Sequence, residues 1–506
     1  MSDIYQIGAP AFIPEQRRQL PRLLRESLDA VLPRVIEALE PLLDQPVPEV
    51  FLRVEEAVLH LFQVASSHVL GGVVAFLHKD AARVDDVVCR SRLMSSQPTR
   101  SRGWRSTRVG FLGGACLRIE TPYVMEDLRG RRGKTRGKGR RRRSGTGSYP
   151  VLEALGISRQ ATPALQSEVA RQAIRGASFD EACESLAERG IGLNRKTVRA
   201  ITLHVGDRAL EQRQERLDAA AEGHVFTDEF TGKRIVLSVD GGRMRMREGG
   251  LRGPRSQKGR RRYRTPWREP KLVSVYVIDK RGKKVRDRPM FYDGTLGDSD
   301  AIFAILAAEL RLRGAAKAKE IIFTADGAPW IWNRIDALAE SLGLDPRKIV
   351  RVADFYHAVE HLTELVELCS SWTPRRRKRW VCKQRRRLKN GDVDLVIQAG
   401  RDLCRGRNAA KIRTQVEYFV ERKKMMRYRA YRRRGIPLGS GAMESAVRRV
   451  INLRLKGPSM FWRAENAERM LHMRSYFKAG RWDELIRRVL YATPSGMRME
   501  SHAAAA

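Results

Sequence analysis

Four short apolar runs constrain the fold more than any other feature of the chain. Residues 235–239, 272–278, 320–325 and 348–353 are dense in β-branched side chains, and stretches with helical spacing (300–312, 330–342, 355–368) lie between or after them. The first two runs read as buried strands and the other two as strands beside them. The expectation is a mixed α/β domain within an α+β multidomain chain.

Three of these runs end in an acid. Asp240-Gly241-Gly242 and Asp326-Gly327 follow the first and third, and Asp354 follows the fourth. Asp-Gly is also a strong hairpin signal, so each acid taken singly reads as a turn residue. Taken together, acids at one end of neighbouring strands would cluster in space. Such a cluster is unstable unless a divalent cation fills it. Hard oxygen ligands select Mg2+ or Mn2+, and two such ions about 4 Å apart clamp the attacking and leaving oxygens of a phosphodiester. The third ligand is sought on a C-terminal helix, where Glu444 follows the turn Gly439-Ser-Gly-Ala-Met443.

Charge points the same way. The 506 residues carry 98 Lys+Arg against 58 Asp+Glu, a net charge of +40, which self-repels unless a polyanion neutralises it. Nucleic acid is the commonest such partner, with a ribosome-associated or membrane-surface role as the alternatives. The six cysteines form no CxxC pair, against a zinc knuckle or a disulfide scaffold. The longest uninterrupted apolar runs, such as 73–77, fall far short of the ~20 residues of a spanning helix. Asp3, Glu15 and Arg17 interrupt any leader-like segment. A soluble, cytoplasmic, nucleoid-associated chain with no membrane partner is expected.

The remainder divides by composition. Residues 1–128 read as a helical module (Leu20, Leu23, Leu24, Leu28 and Leu32 at helical spacing) with a hairpin near 108–124. Residues 129–148 are a basic, flexible linker, with ten Lys/Arg and no acid between 129 and 143. Residues 149–222 read as a helix-turn-helix: a capping box at Ser178-Phe-Asp-Glu181, a stop at Gly190, then a short helix from Asn194 whose Arg195, Lys196, Thr197 and Arg199 face outward. The sheet domain spans 223–362, a basic helical insertion 363–435, its C-terminal helical part 436–490, and a tail 491–506.

Asp240-Gly-Gly-Arg243, Trp267-Arg-Glu-Pro-Lys271, Asp326-Gly327, Asp354-Phe-Tyr-His357, Gly439-Ser-Gly-Ala-Met-Glu444 and Asn452-Leu-Arg-Leu-Lys-Gly457 together resemble bacterial insertion-sequence DDE transposases, most closely the ISKra4 type. The resemblance covers roughly the last two thirds of the chain, and the block around Glu444 is its most specific part. It implies an RNase H-like catalytic domain, Asp240, Asp326 and Glu444 as the triad holding two Mg2+ or Mn2+ ions, and Asp354 with His357 as an accessory motif. It also implies cleavage at the element's terminal repeats followed by transfer of the freed 3′-hydroxyl to target DNA, by at least a dimer on double-stranded DNA. No Ser or Tyr near the acids sits in an activating setting, so the nucleophile is water or a DNA hydroxyl. The rivals are an RNase H-like nuclease that cuts without joining and a catalytically silent DNA-binding descendant.

Two basic segments complete the expectation. Between 243 and 268 there are eleven Lys/Arg and one acid, Glu248, with Tyr263 and Trp267 interleaved. Arg243, Arg245, Arg260, Arg261, Arg262 and Trp267 would line a DNA channel. Residues 375–389 hold ten Lys/Arg, including Arg376 and Arg377, and Lys456 is a further candidate contact. Trp330, Trp332 and Trp462 are expected in the core. His357-Ala-Val-Glu360-His361 matches the H-x-x-E-H pattern of zinc proteases, but a solvated or packing pair is the plainer reading of Glu360 and His361.

Overall fold

The computed structural model describes residues 21–22, 25–26, 28–29, 31–95, 97–127, 147–249, 257, 259 and 263–491. Leu20, Leu23 and Leu24, the tail after 491 and nearly all of the basic linker lie outside them. The chain forms two compact units, divided after Val205 and again after Leu485.

In the first unit, α1 (Leu32–Asp44) and α2 (Pro48–Leu77) are followed by α3 (Ala81–Leu93), whose first turn Asp80 caps by accepting the Arg83 N–H at 3.1 Å. Two long antiparallel strands come next, β1 (Thr99–Gly110) and β2 (Cys116–Glu126), with β3 (Gly147–Ser148) on the edge. Val74, Val109, Phe111, Ile119, Leu152 and Ile157 form their core. Helix α2, at 30 residues, is long and apolar enough to cross a membrane by length and composition, because His60, Gln63 and Ser66-Ser67 interrupt its apolar runs without adding charge.

The segment expected as a helix-turn-helix packs three helices, α5 (Pro163–Arg175), α6 (Phe179–Ala187) and α7 (Arg195–Ala221), after the single turn α4 (Pro150–Ala154). Leu165, Val169, Ala182, Leu186, Val198 and Ile201 form one core. Ser178 caps α6 by accepting the Glu181 N–H at 3.0 Å, while Glu181 reaches back to the Ala177 N–H at 2.8 Å. Asn194 caps α7 through the Thr197 N–H at 3.0 Å. The expected short second helix is instead 27 residues long. Residues 211–216 are all polar or charged, so the apolar period that would have revealed its length fades. The division between units falls inside it.

The second unit is built on a five-stranded mixed sheet. Its strands are β4 (Arg234–Gly241), β7 (Lys271–Ile278), β8 (Phe291–Thr295), β9 (Glu320–Ala325) and β10 (Ile349–Ala353), in the order β10-β9-β4-β7-β8. β4 runs parallel to β9, and β9 to β10; β4–β7 and β7–β8 are antiparallel. β5 (Met244–Arg245) and β6 (Trp267–Arg268) make a separate two-stranded ladder. α8 (Ser299–Leu312) packs on β7 and β8. The helix expected over 330–342 is two pieces, α9 (Pro329–Trp332) and α10 (Ile335–Ser341). The Arg334 side chain donates to the Trp330 carbonyl at 3.2 Å, taking the acceptor its own N–H would use in a continuous helix.

After α11 (Phe355–Glu367), four helices form the insertion: α12 (Pro374–Asn390), α13 (Val393–Arg401), α14 (Ala409–Arg422) and α15 (Tyr428–Arg433). The chain returns through α16 (Gly441–Val447), a π-helical turn at Arg448–Asn452, α17 (Leu453–Leu455), α18 (Ala464–Lys478) and α19 (Trp482–Tyr491). Strand β8, which packs on α18, was not anticipated from sequence, whereas α18 falls within the helical part expected over 436–490.

Candidate active site

Parallel pairing brings three strand ends to one edge of the sheet. β4 carries Asp240 as its penultimate residue, β9 ends one residue before Asp326, and β10 ends one residue before Asp354, with Ala353 opposite Ala325. Asp240 and Asp326 line one cavity of about 410 Å3 with Arg243, Glu269, Trp330, Asn452 and Lys456.

The turn reading of the Asp-Gly pairs fails on the backbone. Gly241, Gly242 and Gly327 are all outside the positive-φ region. What they supply is room: a Cβ on Gly241 would lie 2.3 Å from Glu269 Oε1, and one on Gly327 would lie 2.4 Å from the Tyr418 ring.

Asp240 Oδ1 accepts its neighbour Gly241 N–H at 2.6 Å, and Asp326 Oδ1 accepts the Ala328 N–H at 3.0 Å. Burial lifts the Asp240 carboxyl to about 6. The Gly241 N–H opposes this, and the negative fields of Asp326, Glu269 and Glu444 add to it, in that order. Four acids therefore share one electrostatic neighbourhood. Glu269 is the one the sequence reading passed over. It precedes β7, whose first residue Lys271 pairs with Gly241, so antiparallel register delivers it beside Asp240.

Asp354 has a different role from the other two strand-end acids. It is 1% exposed and both its oxygens are spoken for. Oδ1 accepts the Tyr356 and His357 N–H groups at 2.6 and 3.2 Å, and Oδ2 accepts the Ser440 N–H at 2.6 Å and the Ser440 hydroxyl. Phe355 N–H donates to the Leu438 carbonyl at 2.8 Å. Asp354 thus caps α11 and stitches it to the turn that starts the Glu444 helix. It positions rather than ligates.

Glu444 projects from the exposed side of α16, while Met443 and Ala446 are buried. The helix widens immediately afterwards into the π turn, which brings Asn452 to the same cavity as Val447. A π turn releases carbonyls from the regular ladder, and such turns concentrate at functional sites. Arg474, 2% exposed on α18, receives them: its guanidinium donates to the Arg449 carbonyl at 2.7 Å and to the Val450 carbonyl at 2.8 Å. Burial, with Arg454 nearby, lowers its pKa to about 10.

The insertion also reaches the acids. Arg422, at the end of α14, donates to the Gly327 carbonyl at 2.5 Å, with its guanidinium 4.7 Å from the Tyr418 ring centre. The H-x-x-E-H residues are engaged elsewhere. His361 stacks on Tyr418 at 3.8 Å and pairs Nδ1 with Gln415 at 2.5 Å, and His357 lies 3.2 Å from Glu360. Among the described residues, no group of three or more His, Cys, Asp or Glu stands close enough together to hold a metal as placed, the strand-end acids included.

The basic candidates fall into several settings. Arg243, Arg245 and Arg247 are exposed, alternating with buried Met244 and Met246. Arg245 lies 4.9 Å from the Trp267 ring and Arg247 4.3 Å from Tyr263. Lys456 is exposed and lines the acid cavity. Arg376 lies over Trp372 at 4.3 Å, whereas Arg377 is half-buried and holds the Cys369 carbonyl at 2.9 Å. In the first unit, Arg195, Lys196 and Arg199 are exposed on the first turns of α7, with Arg195 3.3 Å from Asp180. Arg260, Arg261 and Arg262 lie outside the described residues. Trp332 and Trp462 are core residues, while Trp330 is only half-buried and borders the acids. Compared with protein-family models, curated proteins and solved structures, the chain finds no match in any of the three.

Proposed function

We propose that this chain is a DDE-type transposase that cuts DNA at the ends of an insertion sequence and joins the freed 3′-hydroxyl to a target. The observation that carries the reading is the cavity at the sheet edge. Asp240 and Asp326 line it, Glu444 bears on it electrostatically, and Asp240 is held at about 6 by burial and like charge. The strand order, three antiparallel strands followed by two parallel ones with acids at the first and fourth, supports an RNase H-like domain.

The three acids do not stand close enough to share an ion as placed, so Mg2+ or Mn2+, two ions in the full reaction, would have to draw Asp240, Asp326 and Glu444 together as hard oxygen ligands. Asp240 and Asp326 each keep one oxygen clear of hydrogen bonds among the described residues. When bound, divalent cations acidify the attacking hydroxyl and neutralise the leaving oxygen. The chain's own groups do the rest. Arg243 and Lys456 bracket the acids and neutralise flanking phosphates. Arg195, Lys196 and Arg199 engage the element's terminal repeats from a helix-turn-helix. Joining two ends calls for at least two protomers on DNA.

The test is a labelled duplex bearing the DNA end that flanks the gene, incubated with protein in Mg2+ or EDTA. Metal-dependent release of a 3′-hydroxyl and its transfer to a plasmid is expected, and both should vanish in Asp240→Ala with DNA affinity retained. Cleavage without joining would instead favour a nuclease. Tight binding without cleavage would favour a silent descendant.

A further inference from the structure

A second hollow, of about 350 Å3, adjoins the acid cavity and shares Lys456 with it. We propose that it binds a single unpaired nucleotide, the one next to the phosphodiester presented to Asp240 and Asp326. The proposal rests on the nucleic-acid reading above and adds a ligand to it.

The walls suit a base and its phosphate. Trp267 is 50% exposed, with the Arg245 guanidinium 4.9 Å from its ring centre; Pro458 and Met460 supply apolar surface, and Lys456 the charge. Trp267 contrasts with the two core tryptophans nearby. Trp462 is 8% exposed and donates to the Leu455 carbonyl at 3.1 Å, and Trp332 is 7% exposed and donates to the Asp326 carbonyl at 2.7 Å. A large ring left half in water costs free energy unless something covers it, and a base is the flat partner that an aromatic–guanidinium wall accepts.

The wall is also held rigidly. Arg245 pairs with Trp267 across the β5–β6 ladder, and the Arg245 carbonyl accepts the Trp462 N–H at 3.0 Å. Buried Met244 and Met246 anchor the strand and aim Arg245 outward. The facing turn carries Ser459 at φ +56°, a backbone conformation a non-glycine residue adopts at a cost and which concentrates at ligand clamps.

The size decides the form of the ligand. The hollow is near the lower limit for small-ligand sites, about 300 Å3, so it takes one base and sugar, not a base pair. A stacked duplex cannot send a base into it. An unpaired strand end can, with the intervening phosphate on Lys456 and the next phosphodiester over the acids.

The experiment compares fluorescence-anisotropy affinities, in EDTA, for a short duplex of arbitrary sequence with blunt ends and the same duplex with one unpaired terminal nucleotide. A third duplex carries its unpaired base internally. The wild-type chain should prefer the unpaired end by about 10-fold or more, the scale of one base–aromatic stack. Trp267→Ala should lose that preference, with any loss for blunt duplex well below the loss for the unpaired end, and Trp267→Phe should restore most of it. A 2-aminopurine placed as the unpaired nucleotide should change fluorescence on binding wild-type protein and not Trp267→Ala. Equal affinity for blunt and unpaired ends, or an equal loss for both in Trp267→Ala, overturns the proposal. A preference only for the internal unpaired base overturns the strand-end assignment. Failure to bind any of the duplexes overturns the nucleic-acid reading itself.

Discussion

Two acids in the sheet unit share a low-polarity setting and have opposite fates. Glu309, 3% exposed, is surrounded by Arg313 at 2.6 Å, Arg216 at 2.8 Å and Arg481 at 3.4 Å. Burial alone would raise its pKa, but the three guanidinium groups overcome burial and hold it near 2. Asp240 has acids for neighbours and rises to about 6. In a chain with 98 Lys+Arg, the difference is no shortage of cations. Arg243 and Lys456 even line the Asp240 cavity, yet neither forms an ion pair there among the described residues. Glu309 is satisfied from within. Asp240 is left to be satisfied from outside, which is how a binding site differs from a structural cluster.

The largest effect that would break this contrast lies at its satisfied end. Glu309→Ala takes the shared carboxylate from buried Arg313 and Arg481 and half-buried Arg216, leaving Arg313 only Glu229 and Arg481 only Glu484, and should cost about 3 kcal/mol in urea unfolding. A loss below about 1 kcal/mol would show that the cluster is ordinary surface-type pairing. Arg474→Met leaves the carbonyls of the π turn unpaired and should cost about 2–3 kcal/mol. In a cleavage assay it should also lower turnover, because Glu444 precedes that turn on the same helix.

Asp240→Asn sharpens the other end. A folded pKa above the unfolded value means that ionising Asp240 destabilises the fold, with the penalty absent below about pH 4 and complete above about pH 6. The variant should therefore be more stable than wild type at pH 8, by at most about 3 kcal/mol, and equally stable at pH 4. Mg2+ should raise the wild-type melting temperature more than that of the variant. The smallest effect lies outside both clusters: Ser178→Ala should cost about 1 kcal/mol through its lost cap, at any pH between 5 and 8.

Much of this was legible from sequence where a signal is local. The 320–325 run matches β9 end to end, because Ile321, Ile322, Phe323 and Ala325 are apolar side chains that a buried strand takes up. Asp240 and Asp326 were visible for the same reason, and Ser178 because a cap is a local hydrogen bond. What escaped depends on contacts far along the chain. Glu269 becomes a neighbour of Asp240 only through the β4–β7 register, and Asp354 reveals its clasp only once Ser440 is beside it. The π turn has no residue signature at all; its evidence is a buried arginine 25 residues later. The lost apolar period at the end of α7 hid half of that helix.

Helix α18 has a consequence for the order in which the site is made. Besides Arg474 on the π turn, its His472 pairs with Asp293 of β8 at 2.8 Å, and its Glu468 accepts the Leu296 N–H at 2.7 Å. A nascent chain that has reached residue 460 already contains Asp240, Asp326 and Glu444, but not the residues that fix the turn after Glu444. The acids are translated early and their brace late. A chain halted on the ribosome at that point would carry all three acids and lack the brace, so for an enzyme proposed to break DNA, only chains translated past Arg474 would be armed.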